Sequence, residues 1–221
     1  MAIFSSDEFA LAYAVQKPRV GFYRNYLKRA FDIAFVMIIA VPVALVVGIL
    51  ALLIARDGSN PFYLQERVGR NGRIFSMVKL RSMVPNADLL LEAHLAENPE
   101  ARAEWDERQK LEDDPRITGL GRLIRATSLD ELPQFWNVLI GEMSVVGPRP
   151  MMVPQVKLYP GTAYYTMRPG ITGFWQISER NESSFAERAF HDAHYDSRLT
   201  WGTDVRVIAQ TVGVVITATG I

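Results

Sequence analysis

The chain has 221 residues, with 24 basic and 24 acidic side chains, a formal net charge of zero and no cysteine. This length allows one domain with an appendage, and 49% hydrophobic residues can form a core, which excludes a disordered chain. Balanced charge removes the general case for a nucleic-acid binder, and the missing cysteines exclude disulfides, iron–sulfur clusters and Cys-based zinc sites.

In chain order, residues 1–20 read as a flexible tail. FYRNYLKRAFD (22–32) reads as an amphipathic lead-in: Phe22, Tyr23, Tyr26 and Phe31 suit the headgroup level, and Arg24, Lys28 and Arg29 suit lipid phosphate. Asp32, at the mouth of the next segment, is costly in lipid unless paired, and Lys28 or Arg29 is within reach. Ile33–Ala55 then runs 23 residues without a charge. A straight helix of that length reaches about 34 Å, enough for a ~30 Å hydrocarbon core. Pro42 removes one backbone donor and clashes with the preceding turn. Arginines and lysines flank both ends, a pattern that cytoplasmic flanks show. A re-entrant helix that breaks at Pro42 and returns to the same face satisfies that symmetry, and a kinked single-pass helix is the alternative. The membrane-facing residues are therefore Lys28, Arg29, Asp32 and Pro42, within a unit spanning 21–57.

Residues 58–221 read as a small cytoplasmic domain with a membrane-associated C-terminal segment. PFYLQERVGRNGRIFSMVKLRSM predicts a β-hairpin turning at Asn71-Gly72, with Phe75, Met77, Lys79 and Arg81 on one face. Asn86–Leu111 is charged and helical in pattern, split at Asn98-Pro99, and reads as two surface helices. Arg168–Arg180 is rich in turns and aromatics. His191 and His194 could hold a metal, but on a polar segment they read as helix surface. Val205–Ile221 is apolar and of moderate length, suited to lying on a membrane or against the core.

Asp130-Glu131 is the chemical centre. Ser128-Leu129-Asp130-Glu131 matches a capping box, which is a purely structural role. Pro133 disfavours Ser128 as the cap and fits better if Asp130 takes that place. In both cases the carboxylates sit at a helix start, where anions bind. Around them are Arg122, Arg125 and Arg149, the last held in Gly-Pro-Arg-Pro, with Lys79 and Arg81 on the hairpin. A carboxylate can attack phosphorus, and the charge of a diphosphate needs arginine forks and Mg²⁺, which takes one or two carboxylates plus phosphate oxygens.

KRAFD, the proline-interrupted apolar run, QERVGRNGRIF, KLRSM, DPRITGLGRLIRATSLDELPQFWNVLIGEMSVVGPRP and RPGITGFWQIS occur together and in this order. The chain thereby resembles the bacterial sugar transferases, the monotopic polyprenyl-phosphate hexose-1-phosphate transferases, in their short exopolysaccharide-initiating form. The resemblance implies an α+β, helix-rich fold: a re-entrant, Pro-broken membrane helix plus a cytoplasmic domain with a β-hairpin and amphipathic interfacial helices. It implies transfer of galactose- or glucose-1-phosphate from a UDP-sugar to undecaprenyl phosphate at the cytoplasmic face of the bacterial inner membrane. Asp130 would be the nucleophile, forming an aspartyl phosphosugar and expelling UMP, with Asp130 and Glu131 holding Mg²⁺. Lys79, Arg81, Arg125 and Arg149 would bind phosphate. Membrane lipids are the expected surroundings and nucleic acid is not a partner; a homo-oligomer is allowed. A non-catalytic assembly protein of the polysaccharide machinery is the rival from another class.

Overall fold

A computed structural model of the chain describes residues 21–108, 111–178 and 187–216. The expected flexible tail at 1–20 lies outside the described residues. A helix, α1 (Lys28–Ile54), carries the whole apolar run, with a π-type turn at Tyr23–Leu27 before it and a 3-10 turn at Ala55–Asp57 after it. It continues through Pro42 as one helix rather than two. Loss of one backbone bond in a 27-residue helix loosens a turn without ending it, because the turns on both sides keep theirs. Much of its surface is exposed: Ile38 is 80% exposed and Val41 79%. A helix this long and apolar can cross a membrane by length and composition.

The lead-in differs from expectation in where its cations go. Arg24 pairs with Asp196 at 2.5 Å, Lys28 pairs with Asp204 at 2.7 Å and Asp32 at 3.1 Å, and Arg29 donates to the carbonyls of Val138 and Leu139. Buried carboxylates must have partners, so these bases turn inward rather than to lipid headgroups. Asp32 is paired with Lys28 as its position requires, and it also accepts from the Ser144 hydroxyl and the Val145 N–H.

The hairpin forms as read. Strands β1 (Phe62–Val68) and β2 (Ile74–Leu80) pair antiparallel from Phe62↔Leu80 to Val68↔Ile74. Asn71 and Gly72 both adopt positive φ at the turn. Phe75 and Met77 enter the main core with Val36, Val138, Met143 and Val145. Helices α2 (Ala87–Glu97) and α3 (Pro99–Arg108) follow, split at Asn98, and pack Leu91, Leu95 and Ala101 into a satellite cluster with Leu111.

Next come α4 (Gly119–Ala126), a 3-10 turn at Leu129–Glu131, and α5 (Gln134–Ile140). Thr118 caps α4 by accepting from the Gly121 N–H. Gly121 is required there: a Cβ would stand 1.9 Å from the Ser82 carbonyl oxygen, so the TGLG segment rests directly on KLRSM. Strands β3 (Ser144–Val146) and β4 (Gly170–Thr172) pair parallel, flanked by α6 (Ala163–Thr166) and α7 (Phe174–Ile177). A Cβ on Gly170 would meet the Gly147 nitrogen at 2.1 Å, so GPRP and RPGITG touch backbone to backbone. Helices α8 (Glu187–Ser197) and α9 (Trp201–Ile216) complete the fold, and Val207 of α9 is fully buried in the core. The C-terminal apolar run therefore packs one face against the core, while Val205 and Val212 remain exposed. Over the described residues the fold is helix-rich α+β, with two two-stranded sheets.

Candidate active site

Asp130 and Glu131 lie on the 3-10 turn Leu129–Glu131, which is separate from α5. Neither expected cap forms. Ser128 takes φ +56° with no side-chain cap bond, and Pro133 occupies the position before α5. Pro133 explains this: it has no N–H to give to a helix begun earlier, so the chain makes a tight turn and restarts. The carboxylates are thus presented by a turn rather than by a helix start.

Asn137 of α5 fixes that turn against the hairpin. Its amide oxygen accepts from the Val78 N–H at 3.0 Å, and its amide nitrogen donates to the Ser76 carbonyl at 2.8 Å, mimicking a neighbouring strand. As a result Lys79 of β2 stands opposite both acids. Its ammonium is 2.7 Å from Glu131 Oε1 and 3.9 Å from Asp130 Oδ2.

The two acids have opposite electrostatics. Burial pushes the Asp130 carboxyl above the usual range, only partly offset by Lys79, with Glu131 adding to the rise. Burial acts on Glu131 in the same sense, but Lys79, Arg149 and Arg67 together outweigh it and hold Glu131 below its ordinary value. Glu131 is a settled anion. Asp130, 8% exposed, is the more basic and hence the more nucleophilic of the two.

Arg125 and Arg149 line the same cleft as Asp130 and Glu131, and Arg125 acts electrostatically on Asp130. Arg81 does not join them. Its guanidinium takes both Asp57 oxygens at 2.7 Å and the carbonyls of Ile54 and Asn60, so it clamps the end of α1 to β2. Strand alternation had put Arg81 on the Lys79 face, but one residue past the strand end the nearby acid at Asp57 captures it.

Two arginines were not singled out from sequence. Arg67 lines a small cavity with Lys79, Glu131, Gln134, Arg149 and Gln176. Burial, reinforced by Arg149 and Arg188, lowers its pKa to about 10. It donates to the Pro150 carbonyl at 3.1 Å and so steadies the GPRP loop. Arg188 donates to the Arg149 carbonyl, and both guanidinium groups lie over the Trp175 ring, at 5.2 and 5.4 Å. Arg67 sits inside the QERVGR motif, where its place in that motif was the available signal; nothing local marked Arg188.

Among the described residues, no three His, Cys, Asp or Glu side chains converge as a metal site. His194 packs on Phe174 and Phe190 rather than standing free on the helix surface. The cleft itself measures about 1140 Å³. Its polar end carries Lys79, Arg125, Asp130, Glu131 and Arg149, and α1 contributes Phe35, Ile39, Pro42 and Val43 to its apolar wall.

The family described as bacterial sugar transferase matches this chain over residues 23–218. The chain is 46% identical to the UDP-galactose-lipid carrier transferase of Erwinia amylovora over 89% of its own length and 42% of that protein. It is 44% identical to the undecaprenyl-phosphate galactose phosphotransferase of Salmonella typhimurium, again over 89% and 42%. It is 40% identical to the exopolysaccharide production protein ExoY of Rhizobium meliloti, over 87% of each. The chain therefore spans less than half of the first two relatives and most of the third.

Proposed function

The chain belongs to the bacterial sugar transferase family, and from this premise we infer that it moves a hexose-1-phosphate from a UDP-sugar to undecaprenyl phosphate, releasing UMP. Galactose-1-phosphate is the preferred group, in keeping with the names of its galactose-transferring relatives. The observation that carries this reading is the cleft itself. A buried, basic carboxylate, a fixed anion and several cations share one cavity with the wall of an apolar helix.

In the first half, an Asp130 carboxylate oxygen attacks the phosphorus attached to the sugar. The bond from that phosphorus to the UMP oxygen breaks, and UMP leaves with the electron pair. In the second half, a phosphate oxygen of the lipid attacks the same phosphorus, the bond to Asp130 breaks, and the carboxylate is restored. Each half exchanges one P–O bond for another with no net proton. Arg125 and Arg149 would neutralise the phosphate charge, and Arg67 would hold the loop that carries Arg149. Lys79 keeps Glu131 ionised and moderates Asp130.

Two adjacent carboxylates offer hard oxygen donors of the kind that Mg²⁺ prefers. Asp130 and Glu131 would hold it. When bound, it supplies charge neutralisation on the diphosphate.

The same elements support a reading of how the chain meets the membrane. Both ends of α1 are tied to one globular body: Lys28 and Arg29 at the start, Ile54 and Asp57 at the end through Arg81. A bilayer-crossing helix would place its two ends on opposite sides of the hydrocarbon core, out of reach of one body on a single side. The shared anchorage favours a helix that dips into the inner membrane, bends where Pro42 weakens it and keeps both ends and the catalytic part on the cytoplasmic face.

The test is incubation of the purified chain with UDP-galactose alone, in the presence of Mg²⁺. One UMP per enzyme and labelled sugar on the protein are expected, and Asp130→Asn abolishes both. UMP appearing only when undecaprenyl phosphate is added points instead to single displacement. No turnover in either case leaves an assembly protein.

A further inference from the structure

The cleft is larger than the ~300–1,000 Å³ that encloses an ordinary small ligand, and its chemistry is divided. One end holds the acids and cations described above. The other lies between α1 and α9, with Phe35, Ile39 and Val43 on one side and Ile208, Thr211 and Val212 on the other. On each helix the spacings are those of one face: 35, 39, 43 and 208, 211, 212. Thr211 donates to the Val207 carbonyl at 2.8 Å, and its oxygen lies 2.6 Å from the Thr172 hydroxyl, which ties α9 to β4 and fixes this face toward the cleft. Val212 is nonetheless 53% exposed, an apolar side chain half-uncovered beside an apolar wall.

We propose that α9 forms the second wall of a channel for the isoprenoid chain of the lipid acceptor, and that Ile208 and Val212 select that chain. This rests on the acceptor assigned under the proposed function. The occupant is argued from continuity and charge. The apolar channel opens at one end onto the cations that would meet a lipid phosphate, and its α1 wall belongs to a helix whose other faces are apolar and uncovered. A phosphate with an attached hydrocarbon matches both ends at once. A nucleotide sugar matches only one, because its sugar and ribose are polar and gain nothing from Val43 or Val212. The first prenyl units would then be gripped by protein before the chain enters the bilayer.

The experiment uses the full chain in detergent micelles with Val212→Asn, and Ala209→Asn as an exposed control on the same helix away from the cleft. Exchange of labelled UMP into UDP-galactose reports the donor half alone, and lipid-linked sugar formation reports both halves. Val212→Asn is expected to raise the KM for undecaprenyl phosphate by about tenfold, the scale of losing one buried aliphatic contact. UMP exchange stays within about twofold of wild type, and the penalty disappears with a five-carbon prenyl phosphate. Ala209→Asn changes neither. Equal KM values for Val212→Asn and wild type overturn the channel, as does a parallel fall in UMP exchange. A penalty of equal size on the five-carbon acceptor also overturns it, and so does loss of vesicle binding in a flotation assay, which would make α9 a bilayer contact. Absence of UMP exchange in the wild type would defeat the proposed reaction itself, a result distinct from any of these.

Discussion

At the scale of single residues, the site depends on two neighbouring carboxylates being unlike. Asp130 and Glu131 are adjacent in sequence and share Lys79, yet one is pushed above and the other held below the ordinary range. Burial raises both, and the count of facing cations decides the sign, because Glu131 meets Lys79, Arg149 and Arg67. In the proposed reaction, attack by Asp130 requires its ionised form, so UMP release should rise with pH through a value above that of a free aspartate. Lys79 lowers that value. Lys79→Met should therefore shift the acid limb of the pH–rate profile to higher pH and reduce the rate at pH 7 on the order of a hundredfold, as for loss of one preorganised charge-stabilising donor. A limb that stays in place would show that Asp130 does not titrate in the rate-limiting step. The unequal pair was only half legible in sequence: the acids, Lys79 and Arg149 could be named, but Arg67, which also lowers Glu131, was marked only by its place in QERVGR, because its approach to the site depends on how β1 meets the GPRP loop.

At the scale of elements, what a local pattern determines was readable and what a tertiary partner determines was not. Strand alternation and Asn71-Gly72 fixed the hairpin because two positive-φ residues specify the turn without help from elsewhere. Asn98-Pro99 divided α2 from α3 for a similar local reason. The turn at Leu129–Glu131 reads from sequence as a helix start because Pro133 is tolerated in the first turn of a helix capped by Asp130, and because Asn137, which anchors α5 on β2, looks like any other helix residue. The inward turn of Arg24, Lys28 and Arg29 was hidden for the same reason, since the acids that take Arg24 and Lys28 lie 172 and 176 residues away and the carbonyls that take Arg29 lie 109 and 110 away. Arg81 likewise went to Asp57, so α1 is tied down at both ends. That double tie predicts its topology. The chain has no cysteine, so Phe22→Cys and Ser59→Cys can be placed singly, both outside the apolar run. In intact spheroplasts neither should react with a membrane-impermeant maleimide, and both should react after permeabilisation. Labelling of one but not the other in intact cells would make α1 a crossing helix.

At the scale of the whole molecule, one buried polar cluster joins the ends of the chain to its middle. Lys28 and Asp32 from α1, Asp204 from α9, Ser144 and Val145 from β3, and Tyr23 and Tyr195 meet through hydrogen bonds of 2.7–3.1 Å. Asp204 has no solvent exposure and Asp32 has 1%. Two such carboxylates survive burial because Lys28 faces both and the hydroxyls and the Val145 N–H fill the remaining acceptor sites. The cluster also sets where α1 lies relative to the site. It holds α1 against β3, and β3 leads directly into GPRP, so the position of Phe35 and Pro42 relative to Arg149 is fixed by this junction. Lys28→Ala would leave two buried anions with no cation, a change worth about 3–5 kcal/mol in comparable cases. For a chain of this size each kcal/mol lowers the melting temperature by roughly 2–4 °C, so a fall on the order of 10 °C is expected in thermal unfolding of the detergent-solubilised protein. Lys28→Ala with Asp204→Asn removes one charge of each sign, and Asn can still accept from Tyr195. It should recover part of the loss, and a double variant no more stable than Lys28→Ala would mean that the lysine acts by packing rather than by charge.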